Sequence, residues 1–347
     1  MMRDHAQLAG MTLRFTAACA LAAAGPSQTC ATPDPVSIPP MVGYIWQTMT
    51  TRDGLPDDRI GTIRIVDDSI WVGTDRGLAV LTGGVWKTWN HVDRSKRTPL
   101  PPVSAIDIDR RTGDLWLGTR GAGLLRLSGG RFDRFDQMNS GLAGDFVFAL
   151  AVVDGRVWAA TNGGVSVYDP IPREWTLYLE RRTDSPETPI TDLRPDRAGL
   201  SLYATAWCAG VRRFGTRTGR LDSVSLAPST RAVDHDDSAK AIGAALAVDC
   251  SAGVLWCATP RRLYRRDVDG TWASRPIPAD VTRGSFVRCL AARSTSQAWL
   301  GTDGGLLVLA NWSSNTWARY GARKPDASPR AAVGRDGVVA EHVPIPT

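Results

Sequence analysis

Residues 71–78 read Trp71-Val72-Gly73-Thr74-Asp75-Arg76-Gly77-Leu78, and variants of this octet recur along the chain. Trp116-Leu117-Gly118-Thr119 runs into Arg120-Gly121-Ala122-Gly123-Leu124. Trp158-Ala159-Ala160-Thr161 runs into Asn162-Gly163-Gly164-Val165. Tyr203-Ala204-Thr205 leads to Gly210-Val211, with one residue fewer before the threonine. Trp256-Cys257-Ala258-Thr259 leads to Leu263, and Trp299-Leu300-Gly301-Thr302 to Asp303-Gly304-Gly305-Leu306. The six aromatic residues are 45, 42, 45, 53 and 43 residues apart. A fixed period of this size marks stacked copies of one supersecondary unit.

Each period holds four short strands. An apolar or alternating run precedes the aromatic residue: Ile60 to Val66, Val103 to Ile108, Phe146 to Val153, Ile190 to Leu193, Ala241 to Val248 and Phe286 to Ala292. Tight turns follow it, such as Asp67-Asp68 and Asp154-Gly155. After the Trp strand and its Gly turn comes a third apolar strand, then a fourth carrying Trp86 and Trp89, Phe132 and Phe135, or Trp175 and Tyr178. The large aromatic suits the space between neighbouring sheets. Gly or Ala two residues on permits close approach, and the Thr hydroxyl can tie the next turn. One such unit cannot bury both of its faces, but several fanned about an axis can. The expected fold is all-β, a single β-propeller of four-stranded blades with six clear repeats. A reduced seventh blade, closed by the N- and C-terminal segments around Tyr44–Met49 and Ala331–Val343, is the favoured count. Six blades is the alternative.

Composition agrees. The 347 residues include 34 Gly, 22 Pro and 13 Trp but only 7 Phe and 6 Tyr, so turns and strands outweigh helices. Lys and Arg number 41 against 35 Asp and Glu, a net charge of +6. These cations are scattered, so no nucleic-acid partner is expected. No apolar run reaches the ~18 residues of a spanning helix, so no membrane span is expected. Residues 1–31 read as a secretory signal peptide, with Arg3 and Arg14 ahead of the apolar stretch Phe15 to Ala24. Residues 32–43 read as a Pro-rich linker, 44–320 as the propeller and 321–347 as a tail that could join the closing blade. The chain is therefore expected to be exported, periplasmic or extracellular. Cys19 and Cys30 both fit lipid anchoring poorly. Export permits disulfides. Cys250 and Cys257 flank a turn and could face each other across a hairpin, or be small buried hydrophobes.

Catalytic signatures are scarce, and no catalytic residue is assigned. Beyond the leader only His91, His235 and His342 remain, and no GxSxG, HExxH or Walker pattern is present. Asp234, His235 and Asp236, with Asp237, are the densest ligand set; they could hold Ca²⁺ or another divalent metal, or simply form a solvated loop. No cofactor is otherwise expected. Turns of successive blades gather on one face of the ring. Trp207, in the irregular fourth turn, could stack on a sugar or aromatic ring. Arg76, Arg120, Arg261 and Arg262 could hold carboxylates or phosphates. Alternatively the fourth unit is decayed and Trp207 fills a local gap. The pairs Arg181-Arg182, Arg212-Arg213 and Arg265-Arg266 read as exposed strand or loop charges.

The repeat resembles the two-component regulator propeller repeat, whose units run roughly D-G-L-P, a strand, L-W-I-G-T-x-x-G-L, then G-x-F-x-x-Y. Asp53-Gly54-Leu55-Pro56 through Leu81 matches it closely, and Asn139-Ser140-Gly141-Leu142 matches the start of the third unit without the Pro. The resemblance spans residues 44 to 320. It implies seven blades in one ring and the role of a periplasmic sensor half. Such a domain takes a carbohydrate or another extracytoplasmic signal. The family's membrane helix, kinase core and receiver do not follow here, so output through a separate signalling protein is expected. A non-enzymatic propeller binding a small molecule, a carbohydrate or a partner is the leading reading. Its rivals are a lyase or hydrolase acting on an acidic glycan or small metabolite, and a protein-interaction scaffold.

Overall fold

β-Branched and aromatic residues alternate with turn residues through most of the chain, and the backbone follows that pattern. The structure, a computed structural model, describes residues 18–19, 47–93, 95–178, 190–196, 198–206, 210–219, 221–224, 245–248, 253–258, 262–282, 285, 287–302, 307–320 and 341–343. These form six antiparallel blades, each built of four strands in chain order. The first blade is Ile60–Val66, Ser69–Thr74, Gly77–Thr82 and Val85–Trp89. The others start at Val103, Val147, Ile190, Ala245 and Val287. The one helical element among the described residues is the short Ala279–Thr282 turn.

Register aligns the copies. Ile60 pairs with Thr74, Val103 with Thr119, Val147 with Thr161, Ile190 with Ala206 and Val287 with Thr302. The fourth unit is thus not shortened before its threonine. Ala206 stands in the threonine place and Thr205 in the place of Gly73 or Gly118. There the Thr205 hydroxyl bonds to Thr191 Oγ1 at 2.9 Å, which satisfies a polar group inside the sheet.

The threonines do what their chemistry predicts. Thr74, Thr119 and Thr161 donate to the carbonyls of Gly77, Gly123 and Gly164 at 2.9, 2.7 and 2.9 Å. Each also accepts a backbone N–H from its own turn, from Arg76, Ala122 and Gly163. The small residue after the Trp admits a side chain, not a backbone. A Cβ on Gly118 would lie 2.7 Å from Val147 Cγ1, and one on Gly73 would lie 2.6 Å from Val103 Cγ1.

Successive sheets pack face to face. Trp71 and Trp89 pack with Val103, Ile106 and Leu117 between the first two blades. Trp116 packs with Val147 and Leu150, and Trp158 with Leu193 and Leu202. Tyr203 meets Leu255 and Cys257, and Trp256 meets Leu300 and Trp317. Among the described residues no core cluster joins the sixth blade to the first. The far face of the first blade carries only Met49 and Leu55 over Ile60, Val72 and Trp86.

The expected closing blade is not built by the described parts of the two ends. Glu341–Val343 adds a fifth strand to the outer edge of the sixth blade, pairing with Arg319 to Trp317. Gln47–Thr48 pairs with Ala18–Cys19, a dipeptide of the expected leader. Residues 44–46 and 321–340 lie outside the described residues.

Candidate functional site

The chain crosses from blade to blade on the face that carries the post-threonine turns, so that face gathers the irregular backbone. Five inner strands begin there with a bulge, at Gly61, Ser104, Phe148, Thr191 and Arg288. A bulge inserts one residue and re-aims its neighbours, a device common at rims and binding sites. Ser104 uses it to donate its hydroxyl to the Val147 carbonyl of the next blade.

Charged side chains stitch this rim together. Arg120 Nη1 donates to Asp75 Oδ1 at 3.0 Å, linking the turn of the second blade to that of the first. Arg59 approaches the other oxygen of Asp75 at 3.8 Å. Arg76 pairs with Asp57 at 3.3 Å. Three arginines pair with two carboxylates here, and Asp58 and Asp145 border them, so the corner carries charge of both signs. Gly121 and Gly123 then donate to the Asp145 carbonyl, carrying the linkage to the third blade. Beside that carbonyl Phe146 is bonded through its backbone to Asn162, and its ring stays 40% exposed. A corner of paired charges next to an exposed aromatic ring can hold a hydroxylated ligand by hydrogen bonds and face contact.

One step down the inner strands, Arg64 Nη2 meets Asp107 Oδ1 at 2.8 Å. Asp107 is buried, and its second oxygen accepts from Val152 N of the third blade at 2.8 Å. One carboxylate thus ties three blades.

The residues expected at the site divide. Arg76 and Arg120 sit on the post-threonine face, both engaged with carboxylates. Arg262 opens the third strand of the fifth blade directly after its post-threonine turn, on the same face, and its Nη2 donates to Ser274 Oγ at 3.0 Å. Trp207, Arg261, Asp234, His235 and Asp236 lie outside the described residues. Among the described residues no three His, Cys, Asp or Glu side chains gather as a metal would require. Cys257 is a free, buried thiol facing Leu246 across the hairpin. Burial, helped by the charge of Asp192, pushes it up to about 12, so it stays protonated. Cys250 lies outside the described residues.

Phe146, Arg59 and Asp75 were not singled out from sequence. Phe146 reads there as the first residue of a buried strand, and nothing local says that its ring stays outside. Arg64 and Asp107 did leave a signal: each is a charge at the strand position opposite a Trp, where other copies carry Ala151 or Ala247.

No protein-family model matches the sequence, and no curated protein matches it. Solved structures do. The extracellular domain of the hybrid two component system BT4673 from B. thetaiotaomicron superposes with a TM-score of 0.56 at 16% identity, over 82% of this chain and 41% of its own. The extracellular domain of the hybrid two component system BT3049 from the same organism gives 0.57 at 15% identity, over 81% of this chain and 37% of its own. The chain spans about two-fifths of those structures. No helix among the described residues is long and apolar enough to cross a membrane. At these identities the likeness is one of fold, and the repeated four-stranded sheets of this chain are consistent with a β-propeller.

Proposed function

We propose that this chain is an exported, non-enzymatic propeller that binds a ligand on its post-threonine face in a sensor-like role, passing its output to a separate signalling protein. The carrying observation is the rim itself. A corner where Arg59, Arg76 and Arg120 pair with Asp57 and Asp75 stands near the exposed Phe146, on a face edged by bulged strands. The likeness to extracellular domains of two-component systems supports the same reading. The ligand class that fits is a small molecule or carbohydrate, whose hydroxyls can meet arginines and carboxylates alike while a ring face meets Phe146.

Thermal-shift screening of the purified chain against neutral oligosaccharides, uronic acids, small metabolites and divalent ions tests it. A sugar or small acid should raise the melting temperature, and Phe146→Ala and Arg120→Gln should each weaken that response. A melting temperature that moves only with a divalent metal would favour the hydrolase or lyase reading. Silence toward every small molecule would favour the scaffold.

A further inference from the structure

The fifth blade departs from the aromatic pattern of the first three, and a second region of the same chain serves as its control. The fourth-strand residue facing the start of the third strand is Trp89, Phe135 and Tyr178 in the first three blades. Each stacks on or tilts against the strand-two Trp of its own blade, at 5.7, 5.6 and 5.9 Å. In the fifth blade that place belongs to Arg275, across from Leu263. Its guanidinium lies 4.6 Å from the ring centroid of Trp312 in the sixth blade.

A second arginine sits beside it. Arg265 faces Trp256 as Arg126 faces Trp116, with the guanidinium 5.8 Å from the ring in both blades. Arg265 also lies 6.0 Å from Trp312, so two cations share one indole. It is not the exposed strand charge its dipeptide suggests; its side chain is only 18% exposed.

The two blades differ in what neutralises these cations. Arg126 is closed by Asp114, which accepts from Nε at 2.9 Å and from Nη2 at 2.6 Å. Asp114 directly precedes Leu115, and the residue preceding Leu255 in the fifth blade is Val254. The carboxylate is gone. Arg265 has Asp267 on Nη2 at 2.6 Å, but its Nε is buried without a partner. Arg275 also buries an unpartnered nitrogen, Nη1. Burial and the neighbouring charge of Arg265 both press its pKa downward. Two guanidiniums thus lie by the Trp312 ring, with Asp267 paired to Arg265. Buried donors of this kind are costly unless something accepts from them. Stacked guanidiniums are pre-oriented for a planar or tetrahedral oxyanion.

We propose that Arg265 and Arg275, stacked on Trp312 at the outer rim between the fifth and sixth blades, form a binding site for an oxyanion: phosphate, sulfate or a carboxylate group. The site is peripheral and separate from the post-threonine rim, so it does not depend on the function proposed above.

The test is a titration of the full chain with inorganic phosphate, sulfate and glucuronate, chloride holding ionic strength constant, read as melting temperature. The wild-type chain and the exposed-arginine control Arg110→Gln should both show a saturable, anion-specific rise. Arg275→Tyr restores the aromatic of the first three blades; it should melt higher than wild type without anion and require about tenfold more anion for half-saturation. Arg275→Lys keeps the charge but loses the fork, and should lose most of the response as well. A response to glucuronate alone would assign the anion to an organic acid; one to phosphate or sulfate, to an inorganic or phosphorylated source. The proposal falls if no anion outperforms chloride, or if Arg275→Tyr and Arg275→Lys respond as the wild type does.

Discussion

Trp158 and Trp299 hold the same place in two copies of one unit, yet their surroundings differ. Trp158 is 1% exposed beneath the fourth blade, and its cross-strand neighbour Ala151 is equally buried. Trp299 is only half-buried, and its neighbour Ala291 is exposed. The first blade shows the complementary defect. Ile63 and Ile65 are 43% and 66% exposed, whereas Leu150 and Val152, their counterparts in the third blade, pack into the core. Among the described residues, interior blades have a sheet on either side and the two flanking blades have one. The repeat unit is therefore not a self-sufficient fold, and the burial of each Trp is supplied by the next copy.

The largest expected effect tests that dependence. Trp158→Ala should cost about 3–5 kcal/mol, and Trp299→Ala no more than about half as much, because less of its ring leaves water on folding. Urea midpoints of the two variants check this. Equal losses would mean that the sixth blade is as well covered as the third.

Close approach between interior blades comes next. Gly118→Ala should cost about 1–3 kcal/mol, because its Cβ would press on Val147. Adding Val147→Ala should recover part of that loss in a double-mutant cycle. Strict additivity would show that the contact does not set the spacing of the blades.

Acid titration separates the second blade from the fifth. Burial works to raise the Asp114 pKa, but hydrogen bonds from Ser128, Arg126 and Thr112 outweigh it and leave the carboxyl below its ordinary 3.8. Its contribution is then complete above pH 3.8 and fades as pH falls below that value. Arg126→Gln should flatten this acid limb and lower stability at pH 7 by about 1–3 kcal/mol. Arg265→Gln should leave the Asp114 limb unchanged, because its own carboxylate is Asp267 in the fifth blade. An acid limb unchanged in Arg126→Gln would remove Asp114 from the account.

The smallest effect is expected at the uncovered face. Ile65→Thr should change stability by less than about 0.5 kcal/mol, while Val152→Thr should cost more. A loss above ~1 kcal/mol for Ile65→Thr, measured by chemical denaturation, would show that the face is covered in the native protein.

Much of this was legible in sequence. The period, the four strands per unit and the turn-tying role of Thr74, Thr119 and Thr161 follow from local pattern, since each concerns residues within one turn or hairpin. The face that carries Arg76 and Arg120 was likewise readable. Their engagement was not. Asp75 and Arg120 are 45 residues apart, and only the stacking of two blades brings them together. Phe146 looked like a core residue because alternation cannot tell the first buried residue of a strand from one held outside by a bulge.

Local patterning therefore settles what each unit is: strand, two-residue turn, Trp, small residue, threonine. Hydrophobic alternation and turn chemistry act over a few residues, and every copy carries them. Which copies are covered, which arginines find a carboxylate and where Thr205 falls in register were decided only when the sheets met. Covering depends on residues of different blades, as does the Arg120–Asp75 pair, while the register of Thr205 depends on pairing across the fourth blade with the strand that carries Thr191.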